Sequence, residues 1–252
     1  TPAIDAIAAG GGYIRATVGG PVGTSGETPT ISAPGYMSLV TGTWANKHNV
    51  YDNYGISPDY DYWNLFRLAR DQKPELRLGI FSTWTDNRTV LLGEGLAGAG
   101  NWRFDVVVDG LEEDETRFPP RPLDAQIADV DDAVSREAAR LIESESPDVS
   151  WVYLQYTDDV AHEHGDSPEL DQAVVDMAAR VGLIWSGVRA RQKACDARSP
   201  TARAATTHRA RALASSGVTS ALNGRGAEGQ QLRAAARRAA GAGEARTARR
   251  QR

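Results

Sequence analysis

The sequence predicts an α/β chain, a mostly parallel sheet with helices on both faces. Three observations predict it. Leu76 to Ser82, Phe104 to Val108 and Ser150 to Tyr156 are short apolar runs of strand length. Segments of helical period, roughly 10 to 25 residues long, alternate with them, and such alternation builds parallel sheets through helical crossovers. The run Val106-Val107-Val108 has no polar alternation, which suits a strand covered on both faces.

Each element has a local reason. Thr1-Pro2 reads as N-cap and first helical residue, Gly10 as the stop, and Ile4, Ile7 and Ala8 as a buried stripe. Gly12 to Val18 reads as a strand, and Gly19 to Pro29, rich in Gly, Thr and Pro, as a loop. Pro34 begins a short helix that ends at Gly42. Residues 43–62 read as irregular and aromatic, and Trp63 to Arg70 as helical. Asp124 caps a helix running to about Glu143, with Ile127, Val130, Val134 and Leu141 on one face. Pro147-Asp148 breaks the chain before the third strand. Ser167-Pro168 then starts a long helix with the stripe Leu170, Val174, Met177, Val181, Ile184 and Val188.

At 252 residues and 41% hydrophobic content the chain can bury one sizeable core. It contains no run of about 18 apolar residues, so no membrane span is expected. The chain opens on Thr1 with no charged-then-apolar leader, so a signal peptide is expected to be absent or removed. Cys195 is the single cysteine and excludes an internal disulfide framework. The net charge of -5 hides a division: residues 1–195 hold 30 acidic against 16 basic residues, and residues 197–252 hold 12 Arg against 2 Glu. The expected organisation is therefore a body, 1–195, and a low-complexity basic tail, 196–252. The tail is rich in Ala, Arg, Ser, Gly and Thr and has no aromatic residue. It is expected to be disordered, with Gln230 to Ala240 helical by Ala and Arg propensity. Such text is also what a GC-rich gene yields in a wrong frame, and that origin is an expectation for it.

Two distant segments carry the chemistry. In Thr30 to Gly42, Ser32 lies two residues before Pro34, at the entrance of the helix. Free backbone N–H groups and the positive dipole end favour an anion there, and a hydroxyl at that point is placed to attack a phosphoryl centre. The alternative for Ser32 is an ordinary N-cap. In Tyr156 to Gly165, Asp158 and His162 stand four apart at the end of the third strand, where open α/β sheets bind ligands. Carboxylate and imidazole are ordinary zinc ligands, with Asp159, His164 and Asp166 as alternatives by chemistry. The competing reading is a polar loop with surface histidines.

Four matches then give a resemblance. The opening Thr1-Pro-Ala-Ile-Asp-Ala-Ile-Ala-Ala-Gly-Gly, the pair Ser32-Ala-Pro-Gly and Leu39-Val-Thr-Gly42, the segment His48-Asn-Val-Tyr-Asp-Asn53, and Asp158-Asp-Val-Ala-His162 with Gly165 occur in the order and spacing of known motifs. Over about residues 1–193 the chain resembles the alkaline phosphatase superfamily, in its type I phosphodiesterase/nucleotide pyrophosphatase branch with sulfatase-like relatives. The resemblance implies an alkaline phosphatase-like α/β fold and a metal-dependent hydrolase of phosphate mono- and diesters. It implies two divalent ions of the zinc type. Ser32 takes the position of a nucleophile that also touches one metal and forms a covalent intermediate. Asn53 takes the position of an amide that binds a phosphoryl oxygen of the substrate, and Asp158 and His162 take two ligand positions of the other metal. An extracytoplasmic location is favoured by the same resemblance.

The chain also departs from the pattern. It begins after the strand whose Asp-Gly supplies a metal ligand, and no Asp-His or Gly-x-His ligand motif follows His164; the later histidine is His208. The second metal site is therefore expected to be incomplete. Gly35 and Tyr36 stand where sulfatases need Ser and Arg, which counts against formylglycine chemistry. The residues that select a substrate are expected in 84–122, including Trp84, Trp102 and Arg103. Three other readings compete: an inactive fragment or pseudoenzyme that binds anions, a sulfatase-like esterase, and, ranked below them, a nucleic-acid-binding protein using the basic tail.

Overall fold

The computed structural model describes residues 1–121 and 125–198. The chain divides into two compact units, Thr1–Lys193 and Ala194–Arg252; of the second, only the end of the last helix is described. The expected cap Asp124, the Gln230 to Ala240 helix and His208 lie outside the described residues.

Three parallel strands, β1 (Leu78–Ser82), β2 (Val106–Val108) and β3 (Val149–Tyr153), form a sheet in the order β2-β1-β3. β1 is central: Gly79 pairs with Val106 on one side, and Leu78 pairs with Val149 on the other. The period-two alternation of a strand sends Leu78, Ile80 and Trp151 to one face and Phe81 and Val152 to the other. All five residues of β1 are buried, as expected for a strand covered twice.

Helices cover both faces, as the sequence predicts. On the first face α2 (Ser32–Thr41) and α4 (Leu65–Gln72) bring Ala33, Met37, Val40 and Phe66 against Leu78, Ile80, Trp102 and Phe104. Phe66 meets Phe104 edge-on at 4.9 Å, and Trp102 meets Phe104 at 5.0 Å. Each such pair contributes about 0.5–1.5 kcal/mol beyond its buried area. Asn64 begins α4 by accepting hydrogen bonds from the N–H groups of Phe66 and Arg67, which would otherwise be orphaned. On the second face α5 (Ala125–Ser144) buries Ile127, Val130 and Val134, with Leu141 half-buried, and α7 (Pro168–Arg198) adds Ile184 and Val188.

Several expectations are corrected. Residues 12–18 form no strand; Tyr13, Ile14 and Val18 are largely exposed, because no described strand runs alongside to complete a ladder. α1 (Pro2–Gly10) starts and stops as expected but buries none of its residues, and Ile4 is exposed. The methyl of Ala3, off the predicted stripe, is what approaches Gly182 of α7. Residues 43–62 are not wholly irregular, since α3 (Ala45–His48) lies within them. Val107 is 40% exposed, so β2 is not covered on both faces: it is an edge strand. β3 stops at Tyr153, and Tyr156 begins a helix, α6 (Tyr156–His164).

The α7 stripe is only half-buried, with Val174 exposed, while Ala173, Ala178, Arg180 and Gly187 are buried. α7 comes so close to α5 at Gly187 that a Cβ there would lie 2.3 Å from the carbonyl oxygen of Ala139. Backbone atoms cannot step aside. Gly187→Ala is expected to destabilise the fold by about 3 kcal/mol, read as a lower urea midpoint; an unchanged midpoint would show that α7 does not pack there.

Candidate functional site

Ser32 is the first residue of α2, with Ile31 in extended conformation as its cap. Its side chain is partly exposed, and its Oγ makes no hydrogen bond among the described residues. The helix start offers fewer free donors than its position promised. Pro34 has no N–H, and the Ala33 N–H donates to Asn53 Oδ1 at 2.8 Å. That bond links residues 20 apart in sequence and seats the Asn53 amide beside the peptide that follows Ser32. With Oδ1 occupied, the two Nδ2 donors have no partner among the described residues. Ser32 Oγ, the Ser32 N–H and Asn53 Nδ2 are thus the polar groups around this bond that could turn to an anion.

His48 does not join these groups. It ends α3, is fully buried, and receives the Val50 N–H on Nδ1 at 3.2 Å. A neutral ring must then carry its proton on Nε2, which lies 3.0 Å from Ser38 Oγ and donates to it. Burial pulls its pKa down to about 4. His48 locks α3 to α2.

Asp158 and His162 lie one turn apart on α6 rather than at a strand end. His162 Nε2 is 3.6 Å from Asp158 Oδ2, with the two side chains 81% and 53% exposed. Of the alternatives, Asp159 accepts from Gln155 Nε2 at 3.2 Å, and His164 and Asp166 are exposed. Among the described residues no three His, Cys, Asp or Glu side chains converge as a metal set. No hydrogen bond or ion pair joins Ser32 to Asp158 or His162.

What links the two segments is aromatic. Tyr36, one turn after Ser32, stands edge-on to Tyr153 at 5.2 Å, to Trp151 at 6.1 Å and to Trp84 at 6.5 Å. Trp84 and Tyr153 lie at the carboxyl ends of β1 and β3. Burial, a hydrogen bond with Tyr36 and the nearby charges of Asp158 and Asp159 all raise the Tyr153 pKa, so its phenol stays protonated. The signal for Tyr36 was its spacing of four from Ser32. Trp84 belongs to this cluster. Trp102 and Arg103, expected with it, do not: Asp105, just after them, bonds to Leu78, at the amino end of β1.

The α6 start is held by Asp131, which follows Val130 on α5. Its side chain is fully buried. Oδ1 accepts from Thr83 Oγ1 at 2.7 Å and from the Gln155 N–H at 3.0 Å, and Oδ2 accepts from the Tyr156 N–H at 2.9 Å. Burial pushes its pKa up, and these three bonds pull it back. An acidic residue on an otherwise apolar helix face was the signal for it.

The family model described as type I phosphodiesterase / nucleotide pyrophosphatase matches residues 14–196, well over half of the chain. No curated protein and no solved structure matches it.

Two outcomes test this geometry. Asp131→Asn keeps the Oδ1 bonds but turns an NH2 group toward the Tyr156 N–H; a loss of about 2–3 kcal/mol is expected in urea unfolding. The His48 imidazole titrates near 6.5 when unfolded and at about 4 when folded. Between those values the unfolded chain binds more protons, so stability falls as pH drops from 6.5 to 4, by up to about 3 kcal/mol. His48→Gln is expected to flatten the pH dependence of the urea midpoint in that window; an identical slope would mean that His48 is not buried neutral.

Proposed function

Because the chain belongs to the type I phosphodiesterase/nucleotide pyrophosphatase family, a branch of the alkaline phosphatase superfamily, we propose that it hydrolyses phosphate esters through Ser32. The family is one of phosphodiesterase and pyrophosphatase hydrolases and is metal-dependent. The observation that carries the reading is the Asn53–Ala33 bond, which brings an unoccupied amide donor beside an unoccupied hydroxyl. In this reading Ser32 Oγ attacks phosphorus and the alcohol leaves. Asn53 Nδ2 and the Ser32 N–H hold two phosphoryl oxygens as charge grows on them. Water then cleaves the seryl phosphate, which restores the hydroxyl and releases phosphate or a phosphomonoester.

The described residues do not fit a two-metal centre. Asp158 and His162 would supply two ligands of one ion, and a firmly held zinc takes three or four. Ser32 Oγ also has no base in hydrogen-bond contact among the described residues. These observations favour a second reading, in which the described residues bind phosphate esters without turning them over. A sulfate-ester reading loses ground, because Tyr36 packs among Trp84, Trp151 and Tyr153.

The test is zinc-supplemented hydrolysis of bis-p-nitrophenyl phosphate by the full chain and by Ser32→Ala. The hydrolytic reading expects a rate that falls by about 10³-fold or more in the variant. Equal rates in both would remove Ser32 as nucleophile. No rate in either, with phosphate binding retained, selects the second reading.

A further inference from the structure

A concavity of about 760 Å³ lies away from Ser32. It lies between α4 and the segment 100–105, at the amino ends of the strands, where Asp105 exchanges hydrogen bonds with Leu78. Open α/β sheets bind substrate at the opposite, carboxyl ends, so this cavity stands apart from the groups around Ser32.

Its lining is rich in cationic donors, although residues 1–195 carry an excess of acid. Arg70 builds the wall: it donates to the carbonyls of Pro74, Leu76 and Arg103 and to the Asp105 carboxylate. Arg67 is set in place by stacking over Trp63 at 4.2 Å and by donating to the Tyr60 carbonyl. Arg103 is exposed, and its guanidinium has no carboxylate or carbonyl partner among the described residues. Two glycines seat these guanidinium groups. Gly100, at φ +90°, would put a Cβ 3.1 Å from that of Arg67, and Gly95, at φ +76°, would put one 3.0 Å from that of Arg103. Positive φ and close approach together favour glycine at both positions. Trp102, 5% exposed, lines the same cavity, and its buried indole N–H has no acceptor.

We propose that this cavity is a binding site for a small hydroxylated organic phosphate, distinct from the groups around Ser32. Arg103 and the free edge of Arg67 present planar forks that match phosphate oxygens. Trp63 offers a flat surface for the carbon skeleton. Asp105 is consumed by Arg70 and the Leu78 N–H, which leaves Asp71 as the lining carboxylate available to accept a hydroxyl. A carboxylate in the same lining as the arginines favours a hydroxylated monoester over bare phosphate.

The test is isothermal titration of the full chain with ribose 5-phosphate, inorganic phosphate and ribose. Saturable binding is expected for ribose 5-phosphate, weaker binding for phosphate and none for ribose. Arg103→Ala is expected to weaken ribose 5-phosphate at least tenfold, and the same tenfold loss is expected when Arg103→Ala is compared with its parent in a Ser32→Ala background. Hydrogen exchange gives a second readout that needs no variant: the ligand should slow exchange over residues 95–105. No binding, binding lost in Ser32→Ala but kept in Arg103→Ala, or protection confined to residues 30–36 would each overturn the proposal.

Discussion

The buried carboxylate of Asp131 is the constraint on which the rest of this structure turns. Removing a carboxylate from water is costly, and three hydrogen bonds, each worth about 1.5–3 kcal/mol to a charged acceptor, offset that cost. The donors come from Thr83, after β1, and from the N–H groups of Gln155 and Tyr156, after β3. One side chain of α5 therefore sets the relative height of two strand ends. It also places a negative charge at the start of α6, where orphaned N–H groups and the helix dipole favour one. The position of Asp158 and His162 follows from that cap.

The opposite face is organised by tyrosine and asparagine. Tyr36 carries α2 onto the aromatic side chains at the strand ends, and Asn53 closes the helix start twenty residues later in the chain. His48, neutral and buried, secures the intervening turn to Ser38. The Ser32 hydroxyl is thus held by its surroundings while remaining unbonded itself. The proposal that this hydroxyl takes up phosphorus rests on that state and on the family to which the chain belongs.

Sequence and structure part company where a local pattern needed a distant partner. Gly12 to Val18 has strand composition, yet an isolated extended segment satisfies no ladder, and it lies exposed. The apolar residues of α1 have helical spacing, yet Ala3 makes the close approach to α7. The third strand was expected to reach Tyr156; Asp131 captures the N–H groups of Gln155 and Tyr156 and turns the chain into a helix instead. That Ser32 stands at a helix entrance was legible because Pro34 signals the start locally, whereas Asn53 was named only through the resemblance. Asp131 and Tyr153 were not singled out, and Tyr36 was named without its aromatic role, since the donors and rings that each one meets come from segments distant in sequence.

By itself the sequence determined the class of the fold, the three strands, the amphipathic helices and the hydroxyl at a helix entrance. These depend on periodicity, caps and breakers, which act within a few residues. Only the tertiary structure decided which strand is central, which apolar stripe is covered and how many donors remain free beside Ser32. It also decided that Arg67 and Arg103 share a cavity far from Trp84. Each of these depends on atoms distant in sequence meeting at contact distance, and no local pattern encodes that meeting.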